Sequence, residues 1–376
     1  MKGKRILFVG LGELGSQIFD LFVRIPGKHT FLVSGRNEHY LHERTNLSIL
    51  AATQLGFNPD VSCTHLDLQN IEQTAHTIEH FQPDIIFCAA TLQRWGIISA
   101  LPKPFSEKLY MAQMGPWLPM HLTLVYKLMQ AVKQTGQTIK VINASFPDVV
   151  NAVLSKVNLT PTTGVGDIAN NIPALRKSIA LKLNKPLEQV EVRFFAQRFL
   201  SYRISRIGNA GEAPFHLVAL VDGNDVTHLL DMETIFDLLP TKFKRMGGTP
   251  GQLMTAASAT IVFEGLMNNT KTLTHVPGPN GLPGGYPVIV SEEGVEIVLP
   301  EGLTINDAIR INEDGMKFDG VERIDSDGTV YFTEKNMAIL KETLGYECKR
   351  MPLSEVEYRA RELYAKYQEF AGKHRS

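Results

Sequence analysis

The sequence predicts an α/β protein, with a doubly wound parallel sheet in its N-terminal half and a mixed α+β region after it. Three observations predict this. The apolar run Ile6-Leu7-Phe8-Val9 leads into Gly10-Leu11-Gly12-Glu13-Leu14-Gly15, a helix-like stretch and a second apolar run, Phe31-Leu32-Val33. Strand-like and helix-like segments then alternate to about residue 158, the order that builds parallel sheets covered by helices on both faces. Beyond that point strands and helices follow in mixed order. A chain of 376 residues can fill two sizeable cores, and the expected units are a parallel-sheet domain over 1–158, an α+β domain over 159–345, and a helical extension over 346–376.

Strand, G-x-G-x-x-G turn, helix, strand is the order in which this motif marks a dinucleotide site, the Rossmann type of sheet. Gly10 permits the tight turn, Gly12 lets backbone approach a diphosphate, and Gly15 lets the helix pack closely, with Glu13 and Leu14 completing the turn. The helix N-terminus then faces the phosphates. After the second strand stand Ser34-Gly35-Arg36-Asn37, where an NAD site usually places a carboxylate. A carboxylate repels a 2′-phosphate, whereas a guanidinium and a hydroxyl bind it. NADP(H) is therefore expected in preference to NAD(H); Arg36 lying flat over the adenine is the alternative, and suits either cofactor.

The later elements follow in order. Asn58-Pro59-Asp60 precedes a third strand over 61–66, which ends at Asp67-Leu68. A helix over 70–81, a strand over 84–90, a helix over 116–135 and a strand over 139–144 complete the first half. The ends of such strands line the cofactor crevice, which nominates Asp67, Leu68, Ala89, Ala90, Thr91 and Asn143; Asp67 equally suits the N-cap of the helix after it. The second half reads as a helix over 167–184, strands over 190–195 and 216–222, and a helix over 250–268. A Gly/Pro-rich loop over 276–287, a strand pair over 288–290 and 295–298 and a helix from Thr304 come next. Finally, Val356, Ala360, Leu363, Tyr367 and Phe370 make one apolar stripe, expected on a terminal helix that docks on the body or on a second subunit.

Charge and cysteine content narrow the function. Lys plus Arg number 38 against 39 Asp plus Glu, which offers no broad attraction to nucleic acid or an anionic membrane. Cys63, Cys88 and Cys348 are odd in number and far apart, suggesting neither a disulfide framework nor a zinc site. The first strand begins too early for a signal peptide and no apolar run reaches membrane-spanning length, so a cytoplasmic protein is expected. His76-Thr77-Ile78-Glu79-His80 spells H-x-x-E-H, but on a helix between two sheet strands its polar face belongs in solvent, and no metal is assigned. The one Tyr-x-x-x-Lys pair, Tyr331 and Lys335, falls at a strand-to-turn junction far from the nucleotide half.

Several segments together carry a resemblance: Cys88-Ala89-Ala90-Thr91-Leu92-Gln93-Arg94, Val141-Ile142-Asn143-Ala144-Ser145-Phe146-Pro147-Asp148-Val149, Thr249-Pro250-Gly251 through Met267, Gly285-Tyr286-Pro287-Val288 and Gly294-Val295-Glu296-Ile297-Val298. In order and spacing they resemble the lactate and malate dehydrogenase superfamily over most of the chain. The resemblance implies hydride transfer between a nicotinamide cofactor and a small keto or hydroxy acid, in a homodimer or homotetramer. It also implies that Arg94 takes the place of a mobile-loop arginine and that Thr249 reaches the pocket. The family uses a His as proton donor, an Asp that orients it, and arginines for the substrate carboxylate.

Here Asn171 stands in the place of the Asp, Arg198 in that of the His and Ala174 in that of one arginine. Asn171 and Arg198 are 27 residues apart, as the family's pair is. Arginine stays protonated and cannot shuttle a proton, so the usual relay is replaced. On this reading Arg198 binds a carboxylate or stabilises an oxyanion, and another acid, His216 or Tyr202, supplies the proton. The N-terminal half, through Ser34-Gly35-Arg36-Asn37, His65-Leu66-Asp67-Leu68 and Phe81 to Ala90, is also similar to saccharopine-dehydrogenase-like and extended short-chain NADP-binding domains. The expectation is an NADP-preferring oxidoreductase with Arg94, Asn171, Arg198 and His216 in catalysis and Arg94, Asn143, Arg198 and Thr249 on the substrate. The alternatives are a cofactor-binding sensor or assembly protein without turnover, and an opine- or saccharopine-type imine reductase.

Overall fold

The computed structural model describes residues 3–374. Its first half runs β1 (Arg5–Val9), α1 (Glu13–Phe22), β2 (Thr30–Gly35), α2 (Glu38–Gln54), β3 (Asp60–His65), α3 (Ile71–Phe81), β4 (Ile85–Cys88), α4 (Lys103–Met111), α5 (Leu118–Thr135), β5 (Lys140–Asn143), α6 (Pro147–Ser155) and β6 (Thr163–Gly164). The six strands are parallel, in the order β3-β2-β1-β4-β5-β6. The order in which strands are added reverses between β1 and β4, and a crevice opens at their C-terminal ends. Because Val9 pairs with both Ser34 and Cys88, the glycine turn after β1 is level with the ends of β2 and β4. The sixth strand lies beyond residue 158, where the alternation reads as ending.

Residues along β1 are buried on both faces, Ile6 and Phe8 in one core and Leu7 and Val9 in another, as a sheet covered on both sides requires. The helices stop for local reasons. Asn70 caps α3 by accepting the Gln73 N–H, so the capping role open to Asp67 belongs to Asn70. Gly136, left-handed at φ 64°, ends α5.

The second half runs α7 (Ile172–Leu183), β7 (Val190–Phe195), α8 (Arg198–Ile207), β8 (His216–Val221), β9 (Asn224–Asp225), α9 (Met232–Asp237), α10 (Gly248–Asn268), β10 (Thr272–Pro277), β11 (Gly285–Ser291), β12 (Gly294–Ile297), α11 (Ile305–Phe318), β13 (Val321–Ile324), β14 (Val330–Phe332), α12 (Glu334–Leu344), β15 (Arg350–Met351) and α13 (Val356–His374). Its strands make three antiparallel sheets, β7-β8-β9, β10-β11-β12 and β13-β14-β15. β10 takes Val276 and Pro277 into a strand, where the sequence reads as a loop. α10 lies along α1, with Phe263 and Phe22 ring centroids 3.7 Å apart. α13 buries Val356, Ala360, Leu363 and Tyr367 and packs on α5, and the Tyr367 hydroxyl donates to the Ile97 carbonyl at 2.9 Å.

The three cysteines are free thiols. Among the described residues no helix is long and apolar enough to cross a membrane, and no group of three or more His, Cys, Asp or Glu is placed to hold a metal ion.

Candidate active site

The glycine turn has the geometry its spacing implies. Gly10 is left-handed at φ 95° and donates its N–H to the Ser34 carbonyl at 3.0 Å. A Cβ on Gly15 would come within 2.0 Å of the Gly10 oxygen, whereas one on Gly12 would meet no atom within 4 Å. Space is therefore left at Gly12, beside the first turn of α1, whose N–H groups receive no side-chain cap. That combination fits a diphosphate.

A cleft of about 540 Å³ extends from this turn. It brings together Gly10, Gly12, Glu13, Leu14, Gly15, Arg36, Asp67, Leu68, Ala89, Ala90, Thr91 and Arg94, with His121, Leu124, Ala144, Ser145 and Gln252 closing the far end. Arg36 is exposed and has no ion-pair partner among the described residues. Asp67 accepts the Gln69 N–H at 3.0 Å, an Asx turn.

Three nominated cofactor residues are not in the cleft wall. β2 is an inner strand, so Ser34 is fully buried and its hydroxyl donates to the Phe8 carbonyl at 3.3 Å. Asn37 caps α2 by accepting the Tyr40 N–H at 3.1 Å. Asn143 is fully buried, with its amide donating to Asn151 and accepting from the Ser145 N–H; Ser145, which it positions, lines the cleft in its stead.

At the cleft mouth, Arg94 and Thr249 meet on one carboxylate. Both donate to Oε2 of Glu13, Thr249 at 2.9 Å. The loop after β4 and the start of α10 are thereby joined to the glycine turn.

Beside the cleft lies a recess of about 250 Å³ lined by Asp167, Asn170, Arg198, Tyr202, Arg206, Arg245, Gly248, Gln252 and Thr255. A smaller space of about 140 Å³ shares Leu14 and Ala144 with the cleft and Asp167, Arg198 and Thr255 with the recess. The two chambers are thus contiguous.

Arg198 does not reach outward as a carboxylate ligand would. Its Nη1 donates to both oxygens of Asp319, at 2.8 and 3.1 Å, and that carboxylate is fully buried. Burial works against the guanidinium's charge, but Asp319, Asp167 and Asp148 outweigh it and hold the group above its ordinary value. Asn171 is fully buried too and does not touch Arg198. Its amide donates to Ser201 and its oxygen accepts from Arg245 at 3.0 Å, so it reaches the recess only through Arg245. His216 lines neither chamber. It lies on β8 opposite Phe195, where burial lowers its pKa. β8 is the middle strand of its sheet, and its alternation leaves His216 part-buried at the strand's start. Tyr202 lies in the recess beneath the Arg206 guanidinium, 3.5 Å from the ring centroid.

Four groups that sequence reasoning passed over complete the site. Arg206 and Arg245 face the recess with no carboxylate partner among the described residues. Burial first, then the neighbouring guanidiniums, push both below the usual arginine value. Asp148, fully buried, accepts the Arg198 backbone N–H through Oδ1 at 3.0 Å, and its Oδ2 has no hydrogen-bond partner among the described residues. Burial raises the pKa of Asp148 and of Asp167. Asp167 follows left-handed Gly166 and is itself at φ 46°, which turns its side chain to the recess wall.

No protein-family model matches the sequence, and no curated protein does. Solved structures do. A malate dehydrogenase from Aeropyrum pernix matches at a TM-score of 0.55 and 16% identity, covering 84% of this chain and 97% of that one. A lactate dehydrogenase from Eimeria maxima, solved with NADH and oxamate, matches at 0.55 and 13%, covering 84% and 92%. A malate dehydrogenase from Plasmodium falciparum, in complex with NADH, matches at 0.52 and 14%, covering 96% and 99%. The chain has the lactate/malate dehydrogenase-like fold, a Rossmann sheet followed by an α+β half.

Proposed function

We propose that the protein is a nicotinamide-dinucleotide-dependent oxidoreductase, NADP(H) preferred, that acts on a small carbonyl or hydroxy compound carrying a carboxylate. The observation that supports this most directly is the continuity of the glycine-turn cleft with a recess holding two arginines without carboxylate partners and the Asp167 carboxyl, whose pKa burial raises. Gly10, Gly12, Gly15 and the first turn of α1 would hold the diphosphate. Arg36 would meet a 2′-phosphate, and Asp67, Leu68 and Ala89 to Thr91 would line the adenosine and ribose path. When bound, the dinucleotide supplies or accepts the hydride.

The chain's own residues do the rest. Arg206 and Arg245 bind the substrate carboxylate by charge-assisted hydrogen bonds. Asp167, backed by Asp148, gives a proton to the carbonyl oxygen in the reducing direction and receives one in the oxidising direction. Arg198 holds the local field positive and fixes Asp148, with no proton transfer of its own. A homodimer or homotetramer is part of the same reading, and light scattering tests it.

The test is a fluorescence titration with NADPH and NADH, followed by a screen of 2-keto and 2-hydroxy acids with and without amines. NADPH binding and turnover of one such acid is the expected result. Turnover only with an amine supports the imine reductase. Binding of neither dinucleotide overturns the reading. One observation favours cofactor binding without turnover: no histidine lines the recess. Tight NADPH binding with no activity across the screen would select that reading.

A further inference from the structure

The far end of the cleft holds a buried hydrogen-bond acceptor with no donor. His121, on the first turn of α5, is 6% exposed and lines the cleft between Thr91 and Ser145. Its Nδ1 lies 3.0 Å from the Ser145 hydroxyl oxygen and 3.5 Å from that of Thr91. Both hydroxyls give their hydrogens to backbone carbonyls, Thr91 to Met120 at 2.8 Å and Ser145 to His121 itself at 3.3 Å. In the arrangement that satisfies both carbonyls, each hydroxyl accepts at Nδ1. A neutral imidazole has one N–H, so Nδ1 carries it and Nε2 is left with a lone pair. No donor among the described residues reaches Nε2.

The ring stays neutral. Burial, aided by the Arg198 charge, lowers its pKa to about 3. His121 is consequently an acceptor and not a proton donor near neutral pH.

A second acceptor in the same wall shares this condition. Gln93 is 9% exposed, and its Oε1 also lacks a donor. Two acceptors without donors suit a group with two N–H hydrogens. A hydroxyl offers one hydrogen. An ammonium offers three but brings a charge that the Arg94 and Arg198 guanidiniums disfavour. A primary carboxamide offers two without a charge. The apolar surfaces beside it, Leu92, Leu124 and Ala144, suit a flat ring bearing that amide.

This wall is formed at the ends of β4 and β5, on the opposite side of the glycine turn from Arg36. In a doubly wound crevice the dinucleotide spans the two sides.

We propose that His121 Nε2, with Gln93 Oε1, recognises the amino group of the nicotinamide carboxamide, so that the far end of the cleft selects a nicotinamide over a dinucleotide ring lacking that group. The proposal rests on the dinucleotide reading above and adds how the ring is chosen and which way round its amide is held.

The experiment compares equilibrium binding of NADPH with that of its 3-acetylpyridine analogue, in which a methyl replaces the amide NH₂, using the full-length protein and calorimetry. Wild type should prefer the amide by roughly ten- to a hundred-fold, the range expected when a buried acceptor loses its donor. His121→Phe should bring that preference to within about three-fold by weakening NADPH and sparing the analogue. His121→Gln, which returns a carbonyl acceptor, should restore part of it. Equal binding of the two compounds by wild type overturns the proposal and leaves the dinucleotide reading standing, and it needs no variant to fold. A preference unchanged in His121→Phe also overturns it. Binding of neither compound removes both readings.

Discussion

Replacing Arg198 by alanine should cost the fold far more than it costs cofactor binding. Among the described residues the guanidinium is the only cation on Asp319, which is fully buried and otherwise receives the Gln197 amide at 3.1 Å and the Met114 N–H at 3.3 Å. A buried carboxylate stripped of its cation destabilises a protein by about 3–5 kcal/mol. A Coulomb estimate agrees, since opposite charges near 4 Å attract by about 4 kcal/mol at an effective dielectric of 20. The stacking of Arg198 over Trp95, 4.9 Å to the ring centroid, adds about 0.5–1 kcal/mol. Urea unfolding followed by circular dichroism should therefore show Arg198→Ala less stable than wild type by about 3–5 kcal/mol. Arg198→Met combined with Asp319→Leu removes both charges and should recover most of the loss. A single variant within about 1 kcal/mol of wild type, or a double variant no better than the single, would refute the assignment of Arg198 to the interior. A direct role on substrate would instead raise KM and leave unfolding unchanged.

Four further outcomes follow from the same geometry. Burial holds both His121 and His275 near a pKa of about 3, so below the ordinary value of 6.5 the unfolded chain binds protons that the folded chain does not. Each contributes stability that is present above pH 6.5 and lost as pH falls, by about 1.4 kcal/mol per pH unit. The raised pKa values of Asp148 and Asp167 act in the opposite sense. Urea melts of wild type and His275→Gln between pH 7 and 5 isolate one histidine, and equal slopes would show that His275 titrates freely. Arg36→Ala should weaken NADPH about ten-fold or more and leave NADH unchanged, read by fluorescence titration; equal loss of both would assign Arg36 to the adenine. Arg206→Ala with Arg245→Ala should raise KM for a carboxylate substrate by about ten- to a hundred-fold with NADPH affinity intact. Asp167→Asn should lower kcat by about a hundred-fold or more without changing NADPH affinity, and an unaltered pH profile of kcat would place the proton elsewhere.

The architecture was legible where local chemistry dictates it. Gly10 by its left-handed backbone and Gly15 by its close approach each meet a demand that no other residue satisfies as readily, Gly12 leaves open space beside the turn, and the burial of Ile6 to Val9 on both faces follows from an uninterrupted apolar run between turns. Ser34 was misread because the end of an inner strand offers one side chain to the interior and the next to the crevice, and register decides which. Arg198 marks a second limit. Its spacing from Asn171 matched a known pattern, yet its fate was set by Asp319, 121 residues further along. Arg206 left a trace that could have been followed, since it lies two helical turns beyond Arg198, on the same face of α8. His121 left one as well, as a lone imidazole in the apolar run from Leu118 to Leu124. Asp148 and Asp167 left none, because their meeting depends on how α6 and the turn at Gly166 fold together.

The parallel sheet is roofed on both sides by late-arriving helices. α10 covers α1 on one face, and α13 covers α5 on the other. A polypeptide ending after residue 158 would lack both roofs and the last strand, and would present Phe22, Trp117 and their neighbours to water. The parallel-sheet half is thus not a detachable module. Nascent chains must await synthesis of α13, more than 200 residues after α5 begins, before this sheet is sealed.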